Sequence, residues 1–426
     1  MIPFCFIHAA DLHLDTPFVG LGKIDGMLQQ RLRDASLEAF DNLIRTAVER
    51  HADFVVLAGD IYDGAERGAR AQARFIAGLR ELDRNGIACL FIHGNHDPIG
   101  EGWSALRPED FPASAVLIEQ CDEVRAVPVR RDGQVVAMVH GISFRTRKET
   151  RNLSRLFPAE RGEEQFHIGL LHCNVGGQAG HDNYAPCTLE DLCNRAIDYW
   201  AIGHIHKRME LKHGGPVVLY PGNVQGRSFD ECGPKGATLV RVGAEGHVEL
   251  EPLALDVVRF AVLRVDVSKC RSLDEVLAAC EAESGRAMAE AQPRLLLARI
   301  LLHGQSPAHR DLLLAEAQEQ LLPALRDRLP AGGFWLDRVI VDTVPVVDRA
   351  EVARSTGFEA ALVKLTDKVT ASDQEAIQLL EKVQAPLLTG RRFEKLLPEL
   401  GPESARAMIQ GAEARLLGLL ETESGS

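Results

Sequence analysis

Short runs of β-forming residues that each end in His, Asp or Asn constrain the fold of this chain more than any other feature. The runs close on Asp11-Leu12-His13, Gly59-Asp60, Gly94-Asn95-His96-Asp97, Leu171-His172 and Gly203-His204-Ile205-His206. A strand that ends in such a side chain places it at the rim of a sheet. Strand after strand delivering an oxygen or an imidazole to one rim predicts a site assembled by a layered α/β fold.

The intervening segments agree. Leu28, Leu32, Phe40, Leu43, Ile44 and Val48 recur at helical spacing between a first strand, Phe4 to Ala9, and a second, Phe54 to Ala58. A helix over Ala69 to Asn85, striped by Phe75, Leu79 and Leu82, precedes a strand from Ile87 to Ile92. Strands at Val135 to Val139, His167 to Leu171, Tyr199 to Ile202, Val217 to Leu219, Ala237 to Val242 and Val248 to Leu253 follow with little helix between them. Two packed sheets with outer helices, over residues 1–255, are the expectation.

At 426 residues the chain exceeds what one core usually organises. Residues 256–345 read as a βαβαβ unit: Phe260 to Val267, Leu273 to Ala291, Arg294 to Leu302, His309 to Leu325 and Phe334 to Val341. His303 and His309 have no ligand-type partners at useful spacing, so the unit is expected to shape substrate access rather than perform chemistry. Residues 346–426 are helical in pattern, with Leu396, Leu397, Leu400, Met408, Ala412 and Leu416 on amphipathic faces and Gly390, Pro398 and Pro402 as breaks.

A net charge of −13 excludes a generally basic surface, so any contact with nucleic acid falls to a local patch or to bound cations. Nine scattered cysteines without a CxxC pair suit buried thiols in a reducing compartment. Cys173, Cys187, Cys193 and His181 lack the usual zinc spacing. The apolar run Ile2 to Ile7 leads straight into His8 and Asp11, a strand rather than a signal peptide, and no stretch approaches bilayer length. A cytoplasmic protein without a membrane segment is expected.

The clusters specify chemistry. Asp11 and His13 offer one hard oxygen and one nitrogen, and Asp60, behind a glycine, can bridge two cations roughly 3.5 to 4 Å apart. Asn95 can ligate only through a neutral oxygen, leaving the second ion better able to polarise a phosphate, and His172 and His204 complete that ion's shell. Oxygen and nitrogen donors without thiolate favour Mn²⁺, Fe²⁺ or Zn²⁺ at an open site, manganese first. His96, one residue out of phase with a ligand, faces substrate as a proton donor, and Asp97 is expected to hold its other ring nitrogen. His8, His93 and His140 lie in or beside strands and read as structural.

The series D-x-H, GD, GNHD, H and GHxH resembles the calcineurin-like metallophosphoesterases. The segments AADLHLDTPF, LAGDIYD, HGNHDP, LLHCNVGG, HDNYAPCTLEDL, DYWAIGHIH and YPGNVQGRSFDECGPKGATLV resemble the SbcD and YhaO type of bacterial DNA repair exonuclease. The resemblance is close to about residue 255 and loose beyond. It implies a four-layer αββα sandwich with one metal on Asp11, His13, Asp60 and His206 and the other on Asp60, Asn95, His172 and His204, with His96 as catalytic acid. The reaction implied is in-line attack on a DNA phosphodiester, the transition-state charge being spread over both ions. A separate coiled-coil ATPase of the SbcC kind, docked on the helices beyond residue 346, and a homodimer are implied as partners.

Four features bound what the resemblance implies. Archaeal and eukaryotic relatives carry His where Asp63 stands, which leaves strand polarity and exonuclease or endonuclease preference open. Asp63-Gly64-Ala65 does not continue as the GDxxDRG of protein phosphatases, and no GxxxxGK[ST] loop occurs. Arg145, Arg147, Lys148, Arg151, Arg155 and Arg161 form a basic stretch that can grip a phosphate backbone or serve as a solvated face. A small-molecule phosphodiesterase or phosphomonoesterase is the alternative function, and a vestigial site would leave a scaffold.

Overall fold

Parallel strands rich in Val, Ile, Leu and Phe need cover on both faces, and the chain provides it. The computed structural model describes residues 1–21, 26–64, 68–100, 106–161, 165–178, 182–329, 332–388 and 401–423. It divides into two compact units: 1–261 with 293–296, and 262–292 with 297–426. The expectations for His181, Gly390, Leu396, Leu397, Pro398 and Leu400 lie outside the described residues.

The first unit begins with β1 (Phe4–Ala9), α1 (Gly26–Glu49), β2 (Phe54–Leu57), α2 (Ala69–Arg84) and β3 (Ala88–Ile92). It continues through β4 (Ala115–Ile118), β5 (Arg125–Arg131), β6 (Gln134–Gly141), β7 (Phe166–His172), α3 (Leu189–Cys193), β8 (Tyr199–Gly203), β9 (Met209–Lys212), β10 (Val217–Tyr220), β11 (Gly236–Val242) and β12 (Val248–Ala254). One six-stranded sheet has the order β12-β11-β1-β2-β3-β4, and the other β5-β6-β7-β8-β10-β9. The strands β1 to β4 pair in parallel, as do β6, β7, β8 and β10. Parallel neighbours put their carboxyl ends on the same rim, where all five clusters stand.

Alternation along each strand builds three apolar layers. Phe6, Val56, Leu90 and Ile92 of one sheet meet Val139, Ile168, Leu170 and Ala201 of the other, so the faces between the sheets form one core. The opposite face of the first sheet, with Ile7, Val55 and Phe91, packs on Phe40 and Leu43 of α1 and Phe75 and Leu79 of α2. Outside the second sheet, Leu171, Trp200 and Tyr220 pack on Leu153, Phe157 and Leu192. The expected helix–sheet–sheet–helix order is present, but that last layer is thin: a 3-10 turn, Leu153–Leu156, and five-residue α3. A capping box of Thr188 and Asp191 holds α3.

The second unit contains β13 (Val258–Asp266) from Val262 on, α4 (Leu273–Ala291), β14 (Leu295–Gln305) from Leu297 on, α5 (His309–Leu313), α6 (Ala315–Arg328) and β15 (Phe334–Val344). Its sheet has the order β13-β14-β15. The single helix expected over His309 to Leu325 is two, because Leu314 adopts an extended backbone between them. The helices α7 (Arg349–Arg354), α8 (Phe358–Thr370), α9 (Asp373–Leu388) and α10 (Pro402–Glu423) follow, and α9 and α10 share a small core of Ala376, Leu380, Ala405 and Ile409. No helix among the described residues is long and apolar enough to cross a membrane.

Candidate metal centre

At the carboxyl rim of the two sheets the backbone itself draws the clusters together. Asp11 N donates to Gly59 O (3.1 Å) and His13 N to Asp60 O (3.1 Å), stitching the exit of β1 to that of β2. His204 N donates to Asp11 Oδ1 and Oδ2, both at 3.1 Å, which ties in the exit of β8 from the other sheet. Asp11, His13, Asp60 and His204 all have positive φ, an uncommon state for residues other than glycine and one that gathers at functional sites. Gly59, at φ +87°, supplies the sharp exit expected before Asp60, and a Cβ there would lie 2.7 Å from His172 Nδ1.

Every sequence-predicted ligand reaches one cluster. Ligand atoms of Asp11, His13 and His206 lie within 4.8 Å of one another, as do those of Asp11, Asp60 and His172. His172 Nε2 is 3.4 Å from Asp60 Oδ2 and 2.9 Å from Asn95 Oδ1, and His204 Nδ1 is 3.1 Å from the same Asn95 oxygen. His13 Nε2 and His206 Nε2 face each other at 3.1 Å.

The outward ring nitrogens fix which inner nitrogens can ligate. His172 Nδ1 donates to Ala58 O (2.8 Å), His204 Nε2 to Asp182 O (2.8 Å) and His206 Nδ1 to Glu231 Oε1 (2.6 Å). Carbonyls and carboxylates only accept, so the remaining nitrogens present lone pairs to the centre of the cluster. Lone pairs converging on lone pairs repel unless a cation lies among them.

Electrostatics point the same way. Asp11 and Asp60 are buried, and their ion-pair partners among the described residues are histidines. Burial pushes the Asp11 carboxyl above its usual range. Burial also opposes the charge on Asp60, yet His172 and His13 hold it well below the ordinary value. Burial disfavours an imidazolium at His172, but Asp60 and Asp11 pull it up to about 9. The two carboxylates therefore favour a positive charge at this point of the rim. Hard oxygens, imidazoles and convergent lone pairs fit two divalent cations.

His96 stands at the edge of this set, its ring 4.9 Å from that of His13 and its side chain 35% exposed, where His206 is 17% exposed and the other ligands are buried. Its backbone N–H donates to Asp60 Oδ1 (2.8 Å). Burial works against a charge on its ring, but the Asp63 hydrogen bond and the Asp60 and Asp63 carboxylates outweigh it and raise its pKa.

The carboxylate that holds His96 is not Asp97. Asp63 Oδ1 lies 2.5 Å from His96 Nδ1, whereas Asp97 accepts from the backbone N–H groups of Gly94 (2.8 Å), Ile61 (2.8 Å) and Tyr62 (3.3 Å). Asp97 thus organises the two loops that carry Asp60 and Asn95 and does not touch the imidazole next to it in sequence. Its backbone carbonyl meets His93 Nδ1 at 2.5 Å. His93, His8 (Nδ1 to Tyr199 OH, 2.9 Å) and His140 (to His167, 2.9 Å) are structural, as expected.

Glu231 is the supporting residue that motif reading passes over, and Asp63, which the motif comparison marks only as a departure, is the partner of His96. Glu231 closes a short 3-10 turn, Phe229–Glu231, 25 residues beyond the histidine it supports and inside no ligand motif. The basic stretch resolves mainly as structural staples: Arg145 pairs with Asp122, Arg151 with Glu149 (2.6 Å), Arg155 with Asp191 (3.2 Å) and Arg161 with Asp198. The Arg147 guanidinium lies against Gly64, whose N–H donates to His96 O. Cys173 and Cys187 are buried thiols 3.9 Å apart.

Known proteins bear on this geometry. Residues 5–208 match the calcineurin-like phosphoesterase family, and residues 260–344 match the middle domain of metallophosphoesterase YhaO. The uncharacterized metallophosphoesterase YhaO of Bacillus subtilis (strain 168) is 34% identical over 306 residues, 71% of this chain and 72% of the relative. The DNA double-strand break repair protein Mre11 of Thermoplasma acidophilum is 28% identical, over 58% of this chain and 66% of its own. That of Saccharolobus solfataricus is 22% identical, over 92% and 98%. Calcineurin-like enzymes of this kind are hydrolases that use two divalent metals, for which the cluster offers the ligands. A strand-end ligand set matched over its length by the phosphoesterase family, and a relative at this identity and coverage, make the chain a calcineurin-like metallophosphoesterase of the YhaO family.

Proposed function

We propose that this site hydrolyses phosphodiester bonds in DNA, with manganese as its metal, and that the protein works beside a coiled-coil ATPase in DNA repair. The observation that carries the reading is His96: a partly exposed imidazole, held by Asp63 and inclined to keep its proton, at the edge of a largely buried ligand set. A sugar alkoxide is a poor leaving group, and a proton donor in this position answers that need. The names of the Mre11 relatives support DNA as the diester.

Asp11, His13, Asp60 and His206 would hold one cation, and Asp60, Asn95, His172 and His204 the other, and the pair would polarise the phosphate and offset charge in the transition state. Glu231, Asp182 and Ala58 keep three imidazoles turned inward. Asp63 turns His96 so that its other nitrogen can deliver a proton to the departing oxygen. Asp97 fixes the spacing of the Asp60 and Asn95 loops.

The helices beyond residue 346 supply the proposed partner surface. Phe358, Leu365, Val383 and Met408 are exposed there, and an apolar coiled-coil face is the fitting occupant. A chain ended at residue 345 should lose the ATPase on co-purification, while retained binding would refute the docking proposal. A homodimer is part of the same proposal, read from sedimentation of the full chain.

The decisive experiment compares end-labelled single- and double-stranded DNA with bis-p-nitrophenyl phosphate, in Mn²⁺ or in EDTA. DNA should shorten only with Mn²⁺, and His96→Ala should slow that cleavage by about 10²-fold or more, with a smaller effect on the aryl ester. Hydrolysis of the small ester alone, with and without the ATPase, would refute DNA and favour the small-molecule phosphodiesterase.

A further inference from the structure

Two carboxylates outside the ligand set each hold one imidazole of the site, and a single arginine reaches both. Asp63 binds His96, and Glu231 binds His206. Arg227, in the loop after β10, donates from Nη1 to Asp63 Oδ2 at 3.2 Å. Its backbone N–H donates to Glu231 Oε2 at 2.8 Å, and its Nη2 stands 3.9 Å from Glu231 Oε1. The side chain is only 15% exposed.

A carboxylate on a short loop can turn either oxygen to water. Asp63 cannot do so while Oδ2 is held by a guanidinium, whose donors sit in a rigid planar fork. Oδ1 is then left for His96. Glu231 is fixed through its other oxygen: the Arg227 backbone N–H and Asn223 Nδ2, at 2.8 and 3.0 Å, both donate to Oε2, which leaves Oε1 for His206 and for the nearby guanidinium. The geometry points to Arg227 as a positioning residue that locks Asp63, and through it the His96 imidazole, in register with the Glu231–His206 arm.

The inference rests on reading the site as a phosphodiester hydrolase with His96 as proton donor, and its test separates the two. Full-length protein with Mn²⁺ is assayed on methyl aryl phosphates whose leaving groups run from p-nitrophenol to phenol. None of these requires a DNA site. Proton donation matters more as the leaving group becomes more basic, so Arg227→Met should lower the rate about 3–5-fold for p-nitrophenyl and about 30–100-fold for phenyl. His96→Ala should show the same steepening, and the double variant should fall within about 2-fold of His96→Ala, because both changes act on one interaction. Arg227→Lys keeps the charge without the fork and should lie between. A loss uniform across the series, or a double variant in which the losses multiply, overturns the proposal.

Should the wild-type protein hydrolyse no diester, the hydrolase reading fails, and Arg227 is judged by nuclear magnetic resonance of ¹⁵N-histidine-labelled protein. The His96 Nδ1–H signal, assigned by its loss in His96→Ala, should move in Arg227→Met and return toward its place in Arg227→Lys. An unmoved signal overturns the proposal. Arg227→Gln replaces the methionine variant if that chain's circular dichroism departs from wild type.

Discussion

Replacing Gly94 by alanine tests whether the rim is as closely built as the distances imply. A Cβ at this position would lie 2.2 Å from Asp60 Oδ1 and 2.8 Å from Asp60 N. Ordinary close carbon–oxygen approaches are about 3.3–3.6 Å, so the carboxylate must retreat by about 1 Å, and the backbone atom behind it closes the easy exits. The displaced oxygen is the one that accepts from His96 N at 2.8 Å. Crowding of this kind costs about 1–3 kcal/mol, and a buried acceptor deprived of its donor adds a similar amount. We expect Gly94→Ala to lower the Tm of the metal-free protein by about 5–10 °C. A shift of 1 Å in a group that should bridge two ions should also reduce the Mn²⁺-dependent rate on bis-p-nitrophenyl phosphate by about 10²-fold and raise the Mn²⁺ concentration for half-activation. Wild-type half-activation with a rate within about threefold would refute the argument, because Asp60 would then have moved freely where the packing says it cannot.

Glu231→Gln removes the charge behind His206 and should weaken Mn²⁺ binding by about 10–100-fold, read by calorimetric titration. Burial, with His167 beside it, lowers the pKa of His140 to about 4, below the ordinary imidazole value. The unfolded chain therefore takes up this proton first as the pH falls. Stability from this source is intact above pH about 6.5 and should fall by roughly 3 kcal/mol toward pH 4, a slope that His140→Gln flattens in urea melts. Arg147→Glu and Arg151→Glu should part company. The first should weaken DNA binding and reduce its salt slope by about one. The second strands the buried Glu149 carboxylate and should lower stability by about 1–3 kcal/mol with the salt slope unchanged.

The ligands were legible in the sequence because each combines a recognisable donor with a strand end, and parallel strands carry their ends to one side. The supports were not. His96 and Asp97 are neighbours in sequence, which suggests that one orients the other, but a turn decides where a side chain points, and here it aims Asp97 at three backbone N–H groups. Asp63 lies 33 residues from the imidazole it holds, and only the folded rim joins them. The strands missed were those with weak local signals: β9 is the edge strand Met-Glu-Leu-Lys, and β5, Arg-Ala-Val-Pro-Val-Arg-Arg, is an edge strand that carries proline and arginines. Four-residue β4 is too short for its alternation to register.

The left-handed backbone at Asp11, His13, Asp60 and His204 also restricts how this lineage can decay. Asparagine, aspartate, histidine and glycine tolerate that conformation, while branched and bulky residues strain it. Should selection for catalysis lapse, drift at these four positions would run first toward Gly or Asn, not toward the aliphatic residues that usually fill an abandoned pocket. A retired member of the family would then keep its fold and carry glycine and asparagine scars where the donors once stood. Such a substitution pattern, tabulated across related chains, would date the loss of chemistry separately from the loss of structure.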